Sequence, residues 1–204
     1  MRQPFLIVGS PRTGSTLHAR VLDAHPNVTC TDEARVFIPA CRALRPIPAR
    51  GGHGEKMRGP LLEMFRDFIT TYYQQRLGVN EDMAWGDKFP HYTDSFEILD
   101  ELFPQVRYVH LTRDRVATVR SIQRSKLAST PDKAARFYDG AERSCAEWKR
   151  VAGDRFVTIR YEDGLATNMA KIIEFLEVGP SPELDAVVER ELQHRTRYSF
   201  PTSW

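Results

Sequence analysis

The chain has 204 residues, of which 41% are hydrophobic and 27% charged, a size and composition that fit one globular domain. Its net charge of +2 is too small to indicate a nucleic-acid partner. No stretch reaches the roughly 18 to 20 apolar residues of a membrane helix, and the N-terminal apolar run is too short for a signal peptide, so no membrane association is expected. The three cysteines, Cys30, Cys41 and Cys145, form neither an even disulfide set nor a metal spacing, so we expect a cytoplasmic protein.

The first half of the chain begins with a strand and a helix. PFLIVG predicts a strand buried on both faces, and residues 15–24 predict a helix that ends at His25-Pro26. VTC at 28–30 is a candidate second strand. Residues 39–60 are rich in proline, glycine and arginine, and predict a mobile loop or lid that is partly helical at its start.

The remaining elements continue this alternation. A helix is predicted over 60–77 with Gly78 as its stop, then a strand in MAWGDKFP. RYVHLTRD and RFVTIRYEDG are the later strands, and the later helices are predicted over 93–103 (capped by Thr93 or Asp94), 116–125, 132–152, 167–177 and 182–193. The order predicts one three-layer, P-loop-like α/β domain over 1–204, with a central parallel sheet flanked by helices.

The segment GSPRTGST has the form of a phosphate-binding loop without its lysine. Gly9 and Gly14 have the required spacing and Thr16 is in register, but Ser15 stands where a nucleotide-binding loop has lysine. Backbone N–H groups at the start of a helix, with the guanidinium of Arg12, suit an anion. Because the lysine reaches the terminal phosphates of a metal-bound triphosphate, the loop favours a ligand that needs no metal. A magnesium-dependent nucleoside or nucleotide kinase stays an alternative, and would need another cation in the lysine's place.

A second basic cluster, RDRVATVRS, follows the strand RYVHL. Arg113 ends the strand and Ser121 lies two helical turns later, so the pair could hold a second phosphate away from the loop. A ligand with a 5′ anhydride and a separate 3′ phosphate would use both clusters. That ligand is 3′-phosphoadenosine-5′-phosphosulfate, the sulfuryl donor, whose transfer product is 3′,5′-adenosine bisphosphate.

The two motifs PRTGST and RDRVATVRS resemble the 5′-phosphosulfate and 3′-phosphate motifs of sulfotransferases. PRTGSTLHARVLDAHPNVTCTDEARVFIP, DKFP, LFPQVRYVHLTRD and RYEDG are similar, in order and spacing, to the tyrosylprotein sulfotransferases and their bacterial relatives. The resemblance covers roughly residues 5–177. In the secretory-pathway relatives the cysteine that matches Cys30 is disulfide-bonded, but the partner position falls at Trp85-Gly86 here, so no such bridge is expected.

The resemblance implies a role for individual residues. Glu33 matches the family's catalytic base, Lys88 a lysine that stabilises the transferring sulfuryl group, and Arg35 an arginine beside the base. The resemblance also implies which residues bind the donor: Arg12, Thr13, Gly14, Ser15 and Thr16 at the 5′ phosphosulfate, and Arg113 and Ser121 at the 3′ phosphate. No metal site is expected.

The chemistry of sulfuryl transfer is consistent with these roles. A hydroxyl is protonated at neutral pH, tyrosine having a pKa of about 10, so a positioned carboxylate is needed to accept its proton. A cation such as Lys88 stabilises the charge that develops on the leaving group. For Glu33 a helix-start carboxylate, and for Lys88 a surface lysine, remain alternatives; His91 is a rival base or a substrate-binding residue.

The acceptor is the least defined part of the prediction. A tyrosine of a peptide, a small phenol and a sugar alcohol all carry a suitable hydroxyl. The arginines at 35, 42, 45 and 50 favour an acidic acceptor, although a solvated loop would also account for them. A non-catalytic nucleotide-binding relative is a further alternative, which intact Glu33 and Lys88 argue against.

Overall fold

The computed structural model describes residues 1–49 and 51–197, so Arg50 and residues 198–204 lie outside the described part. Its sheet contains five strands in the order β2-β3-β1-β4-β5, and all the pairings are parallel. The strands are β1 (Phe5–Val8), β2 (Val28–Asp32), β3 (Ala84–Lys88), β4 (Arg107–Thr112) and β5 (Phe156–Arg160). The helices are α1 (Ser15–Leu22), α2 (Ile38–Leu44), α3 (Gly52–Thr71), α4 (Phe96–Leu102), α5 (Arg115–Arg124), α6 (Pro131–Ala152), α7 (Leu165–Phe175) and α8 (Pro182–Arg197).

Helices cover both faces of the sheet, which confirms the predicted three-layer α/β fold. On one face an aromatic cluster around Phe37, Trp85 and Tyr108 packs against α2, α3 and α4. On the other face β1 and β4 pack against α1, α7 and α8, through side chains such as Leu22 and Ile172. Every residue of β1 is buried, as expected of a central strand in a parallel sheet. Among the helices described, none has the length and apolar character needed to cross a bilayer.

The position of β1 determines where a ligand can bind. The chain leaves β1 toward β2 and β3 on one side and later returns to β4 on the other side. In open parallel sheets, ligands bind outside the carboxyl ends of the strands at such a reversal. The segments that follow β1, β3, β4 and β5 therefore converge at one edge, and these are the segments that carry the predicted site residues.

Gly86 in β3 allows β1 and β3 to pair closely. A Cβ atom added to Gly86 would lie 1.8 Å from the carbonyl oxygen of Phe5, a separation that no side chain can adopt. The neighbouring Trp85 is buried and its indole Nε1 donates a hydrogen bond of 2.6 Å to the carbonyl of Arg2. The close pairing of β1 and β3 therefore requires glycine at position 86, the first residue of GDK.

The predicted loop over 39–60 is much shorter than expected. It starts within α2, as predicted, but α3 already begins at Gly52, so only residues 45–51 separate the two helices. The reason is Arg58, whose side chain is largely buried and donates to the carbonyls of Leu44 and Ile47 and to the carboxylate of Glu101. These contacts hold the first turns of α3 in place, despite the glycines and Pro60 within them.

The helix predicted over 93–103 also begins later than expected. Residues Pro90–Asp94 form a 3-10 turn, and α4 starts at Phe96 with Ser95 as the residue before it. The predicted caps Thr93 and Asp94 are therefore wrong, because Thr93 donates its hydroxyl to the carbonyl of Pro90 inside that turn.

Candidate functional site

The loop between β1 and α1 has the backbone conformation of an anion-binding loop. Gly9 has φ 132°, and a Cβ atom there would lie 2.4 Å from the carbonyl oxygen of Leu111. Gly14, just before α1, has φ 91°, and a Cβ there would lie 2.7 Å from the ring of Tyr161. Arg12 adopts φ 72° although it is not glycine. The loop thus presents the N–H groups of the first turn of α1, where the helix dipole favours an anion.

Side chains behind the loop hold it in this conformation. The hydroxyl of Thr13 is buried and donates to the carbonyl of Ser10 at 3.0 Å, so only the backbone N–H of Thr13 is suited to ligand binding. The Nδ1 of His18 lies 3.0 Å from the carbonyl oxygen of Gly14, which places the ring proton on Nδ1. The Nδ2 of Asn168 then donates to Nε2 of His18 at 3.1 Å.

The second predicted motif meets this loop directly. Asp114 caps α5 by accepting from the N–H of Ala117 at 2.8 Å, which sets the start of the helix that carries Ser121. The Nε of Arg12 donates to the hydroxyl of Ser121 at 3.2 Å. The guanidinium of Arg113 lies over the ring of Tyr161, 4.4 Å from its centre. The residues predicted to hold two different phosphates are therefore neighbours in one site.

These residues line a cavity of about 520 Å³ at the carboxyl edge of the sheet. Six of the seven residues predicted to bind the donor line it, and Thr13 is the exception. Residues that the sequence did not point to complete the lining, among them Arg20, Tyr161, Val187, Arg190 and Glu191. Cationic side chains around a set of helix-start N–H groups fit a ligand with more than one phosphate. Tyr161 belongs to the RYEDG motif and could have been found there, whereas nothing in the sequence of α8 indicated that this helix reaches the cavity.

Glu33 and Lys88 form an ion pair at the ends of β2 and β3. The Nζ of Lys88 lies 2.8 Å from Oε1 of Glu33 and 2.6 Å from Oδ1 of Asp32, and only 2% of the Lys88 side chain is exposed. The strand register explains the contact, because Asp32 and Lys88 are directly paired between β2 and β3. The surface-lysine alternative for Lys88 is therefore wrong. A buried ammonium of this kind requires its carboxylate partners.

The carboxyl group of Glu33 is held in its ionised form. Burial acts to raise its pKa, but the ammonium of Lys88 and the guanidinium of Arg35 act together to lower it below the ordinary value. Arg35 Nη2 lies 3.2 Å from Oε2 of Glu33, so each carboxylate oxygen has its own cation. Glu33 is therefore ionised at neutral pH, the form that a general base requires.

Asp32 connects this ion pair to the cavity. Its Oδ2 lies 3.3 Å from Nε of Arg20, and Arg20 lines the 520 Å³ cavity. The sequence analysis did not predict a role for Asp32. The structure gives it a definite position between Arg20 and Lys88.

A second cavity, of about 590 Å³, includes Arg35, the ion-pair partner of Glu33, in its lining. It is lined by Arg35, Ile38, Cys41, Arg42, Arg45, Pro46, Phe89, His91, Asp94 and Ser95. The guanidinium of Arg35 lies 5.0 Å from the centre of the Phe89 ring, and Arg45 donates to the hydroxyl of Ser95 at 2.7 Å. Within the described residues Arg42 forms no ion pair or hydrogen bond, so its charge faces the solvent and the cavity. Apolar walls with several guanidinium groups suit a ligand that is both aromatic and anionic.

His91 lines this second cavity, and its role in substrate binding stays a prediction. Its Nδ1 lies 3.5 Å from Oδ2 of Asp94, and its ring packs edge-on against Phe137. No contact between His91 and Glu33 or Lys88 is present among the described residues. The geometry thus places His91 at the cavity wall and Glu33 at the ion pair, which favours Glu33 as the base.

The structure describes no cluster of three or more His, Cys, Asp or Glu side chains able to hold a metal ion within 1–49 and 51–197. Metal independence stays a prediction. The cysteines Cys30, Cys41 and Cys145 are buried and free, so the bridge that was not expected at Cys30 is not formed.

A model of the sulfotransferase family matches residues 4–179. The chain belongs to the sulfotransferase family. It is 28% identical over 209 aligned residues to protein-tyrosine sulfotransferase 1 of Danio rerio, covering 92% of this chain and 56% of that protein. It is 35% identical over 136 residues to protein-tyrosine sulfotransferase A of Caenorhabditis elegans, covering 62% of this chain and 35% of that protein. The chain therefore spans about half the length, or less, of these curated relatives.

Solved sulfotransferase structures share the fold. The sulfotransferase domain of the Synechococcus PCC 7002 olefin synthase superposes with a TM-score of 0.68 at 24% identity, covering 90% of this chain and 77% of that one. A mouse sulfotransferase complexed with PAP superposes with a TM-score of 0.56 at 14% identity, covering 99% of this chain and 67% of that one. Membership in the family favours a sulfotransferase over the kinase alternative. The match ends at residue 179, so α8 lies beyond it.

Proposed function

We propose that this protein transfers a sulfuryl group from 3′-phosphoadenosine-5′-phosphosulfate to an acceptor hydroxyl, with Glu33 as the base and without a metal. One observation carries the proposal: the Lys88–Glu33 ion pair lies at the same sheet edge as the two predicted phosphate motifs, and Asp32 and Arg20 connect it to their cavity. Family membership supports the reaction class. The mouse sulfotransferase that shares the fold is complexed with PAP, which supports the choice of nucleotide.

In the proposed reaction the acceptor oxygen attacks sulfur in line with the leaving group. A bond forms between sulfur and the acceptor oxygen, and the bond from sulfur to the bridging oxygen of the 5′ phosphate breaks. Glu33 accepts the proton of the hydroxyl, and the electron pair of the broken bond leaves on 3′,5′-adenosine bisphosphate. Lys88 would stabilise the negative charge that grows in the transition state, which requires its ammonium to move from Glu33 toward the sulfuryl group.

We infer that the acceptor enters through the 590 Å³ cavity. Arg35 belongs both to that cavity and to the pair around Glu33, so a hydroxyl there could approach the base. The apolar wall formed by Ile38 and Phe89 suits a phenol, and Arg42 suits a nearby carboxylate. A tyrosine in an acidic peptide meets both conditions, as does a small anionic phenol. Similarity to protein-tyrosine sulfotransferases favours the peptide.

Two further expectations remain proposals. We place the protein in the cytoplasm because its three thiols are free and buried, and a lysate fractionation with a specific antibody would test this. We also propose that residues 1–204 form a single domain. Arg45 and Pro46, which follow α2, belong to the wall of the acceptor cavity, and hydrogen bonds from Arg45 to Asp94 and Ser95 hold this part of the wall in place.

A transfer assay with a matched variant tests the function. The protein is incubated with the labelled donor and either an acidic tyrosine peptide, a small phenol or a sugar alcohol, and labelled product is measured. We expect transfer to one of them by the wild type, and a loss of roughly 100- to 10,000-fold in Glu33→Gln with bisphosphate binding unchanged. Binding of the bisphosphate without transfer to any acceptor would instead support a non-catalytic relative.

A further inference from the structure

Glu33 and Arg35 occupy a strained turn immediately after β2. Their φ angles are 62° and 61°, in the left-handed region that non-glycine residues rarely adopt. Each such conformation carries an energetic cost for a residue with a Cβ atom, and two of them lie within three positions of the chain. The turn persists because other contacts overcome that cost. Since Glu33 is the proposed base, the contacts that hold this turn also determine where the base lies.

Asp87 supplies the contacts that hold the backbone of this turn. Its Oδ1 accepts from the N–H of Ala34 at 3.1 Å and its Oδ2 from the N–H of Arg35 at 3.2 Å. The N–H of Glu33 donates to the carbonyl of Lys88 at 2.9 Å. All three amides of the turn are thus bonded to two consecutive residues of β3.

The Asp87 carboxylate is fully used in these contacts. Its Oδ1 also accepts from the hydroxyl of Thr31 at 2.6 Å and its Oδ2 from the hydroxyl of Tyr92 at 2.5 Å. Asp87 is 0% exposed, and burial raises the pKa of its carboxyl group while the four donors act to lower it. A buried carboxylate is costly to desolvate, and among the described residues four hydrogen-bond donors, rather than an ion pair, offset that cost.

We propose that Asp87 is the positioning residue for the base: it holds the strained turn 33–35 so that Glu33 points to Lys88, and it takes no part in the chemistry itself. This inference rests on the proposed role of Glu33. In β3, Asp87 and Lys88 are adjacent and point to opposite faces of the sheet. Lys88 thus provides the cation that pairs with Glu33, and Asp87 accepts the hydrogen bonds that hold the turn on the other face of the sheet.

Asparagine at position 87 is a sharp test because it keeps the shape of aspartate. The hydroxyls of Thr31 and Tyr92 can rotate to accept a hydrogen bond instead of donating one. The backbone amides of Ala34 and Arg35 cannot, so an asparagine can bond only one of them and its NH₂ group faces the other. Asp87→Asn therefore releases one end of the turn and leaves the packing of the core intact.

Tyr92→Phe is the matched control. It removes the 2.5 Å hydrogen bond to the same carboxylate from a fully buried position, but leaves both backbone bonds in place. We expect both variants to lower Tm by several degrees. Only Asp87→Asn should lower kcat, by roughly 10- to 100-fold, because a small displacement of a base is enough for such a loss. The Kd for 3′,5′-adenosine bisphosphate should stay unchanged in both, since Asp87 does not contact the loop that binds it.

The outcomes separate this inference from the proposed function. If the wild type transfers sulfuryl groups and Asp87→Asn keeps kcat within about threefold of Tyr92→Phe, Asp87 does not position the base. If the wild type does not transfer at all, the proposed function fails instead. Amide hydrogen exchange on the wild type tests whether Asp87 holds the turn 33–35 even if no transfer is found. It does not require a variant that folds. We expect the amides of Ala34 and Arg35 to be protected as strongly as those of β3, and exchange as fast as in a free loop would overturn the proposal.

Discussion

At the scale of single residues, the site depends on how charges are shared around Lys88. Its ammonium bonds both Asp32 and Glu33, and this contact keeps the Glu33 carboxylate ionised and the ammonium ordered. The sequence pointed to Glu33 and Lys88 by resemblance, but could not show that they touch. Contacts between residues 55 positions apart depend on strand register, which single-sequence patterns do not specify.

The acid limb of the kcat/KM–pH profile tests whether Lys88 lowers the pKa of Glu33. Because Lys88 and Arg35 lower the pKa of Glu33, the wild-type kcat/KM should fall only at a pH below the ordinary value for glutamate, about 4.3. In Lys88→Met the raising effect of burial is opposed by Arg35 alone, so the pKa of Glu33 rises and the limb moves to higher pH. The rate itself should drop by roughly 100- to 1,000-fold.

Lys88→Arg is the control for this profile. It keeps a positive charge beside Glu33, so kcat is expected to fall while the acid limb stays near its wild-type position. The measurement is kcat/KM of the three proteins between about pH 3.5 and pH 7, over the part of this range in which they stay folded. An acid limb that does not move in Lys88→Met would show that the ammonium does not control Glu33.

At the scale of secondary-structure elements, local patterns predicted strands well and loop lengths poorly. The strand β1 was predicted because PFLIVG is a short apolar run that suits a strand buried on both faces, and β4 was predicted from RYVHLTRD. The start of α3 was missed because Pro, Gly and Arg in residues 39–60 indicate a loop locally, whereas the buried Arg58 stabilises a helix through contacts with α2 and α4. Such long-range contacts override local preference.

Helix α8 should contribute to donor binding although it lies outside the family match. Arg190 lines the 520 Å³ cavity beside Val187, and forms no ion pair within the described residues. We expect Arg190→Ala to raise the Kd for 3′,5′-adenosine bisphosphate by roughly three- to tenfold, the effect of about one charge-assisted hydrogen bond at an exposed site. Isothermal titration calorimetry measures it.

Arg150→Ala is the control for Arg190. Arg150 is also an exposed helical arginine, but it lies on α6 and does not line the cavity. Its removal changes the net charge by the same amount and should leave the Kd unchanged. Equal effects of the two substitutions would indicate a general electrostatic contribution, and would argue against a contact from α8.

At the scale of the whole molecule, the close pairing of β1 and β3 brings the site together. This pairing places Lys88 beside Ile7, and hence close to the start of the loop between β1 and α1. In the sequence, the clusters GSPRTGST and RDRVATVRS each follow a predicted strand, and parallel strands end at the same edge of a sheet. The order of the strands, and with it the contact between Arg12 and Ser121, became visible only in the folded chain.

Two glycine-to-alanine substitutions should have opposite effects on stability. Gly86→Ala places a Cβ 1.8 Å from the carbonyl of Phe5, so β1 and β3 must separate; we expect a loss of more than about 3 kcal/mol in the free energy of unfolding, or no folded protein. Gly140 lies within α6, and a Cβ there meets nothing within 4 Å. Gly140→Ala should stabilise the protein by roughly 0.5–1 kcal/mol. Urea unfolding monitored by circular dichroism compares them, and a Gly86→Ala protein as stable as the wild type would contradict the described strand pairing.

We propose that the loop without lysine and its second motif bind a nucleotide with separate 5′ and 3′ phosphates, without a metal. Calorimetric titration with 3′,5′-adenosine bisphosphate and with ATP, each with and without Mg²⁺, tests this proposal. We predict tight bisphosphate binding that does not depend on Mg²⁺, and weak ATP binding under both conditions. Binding of ATP that requires Mg²⁺, together with no binding of the bisphosphate, would contradict the claim and support the kinase alternative.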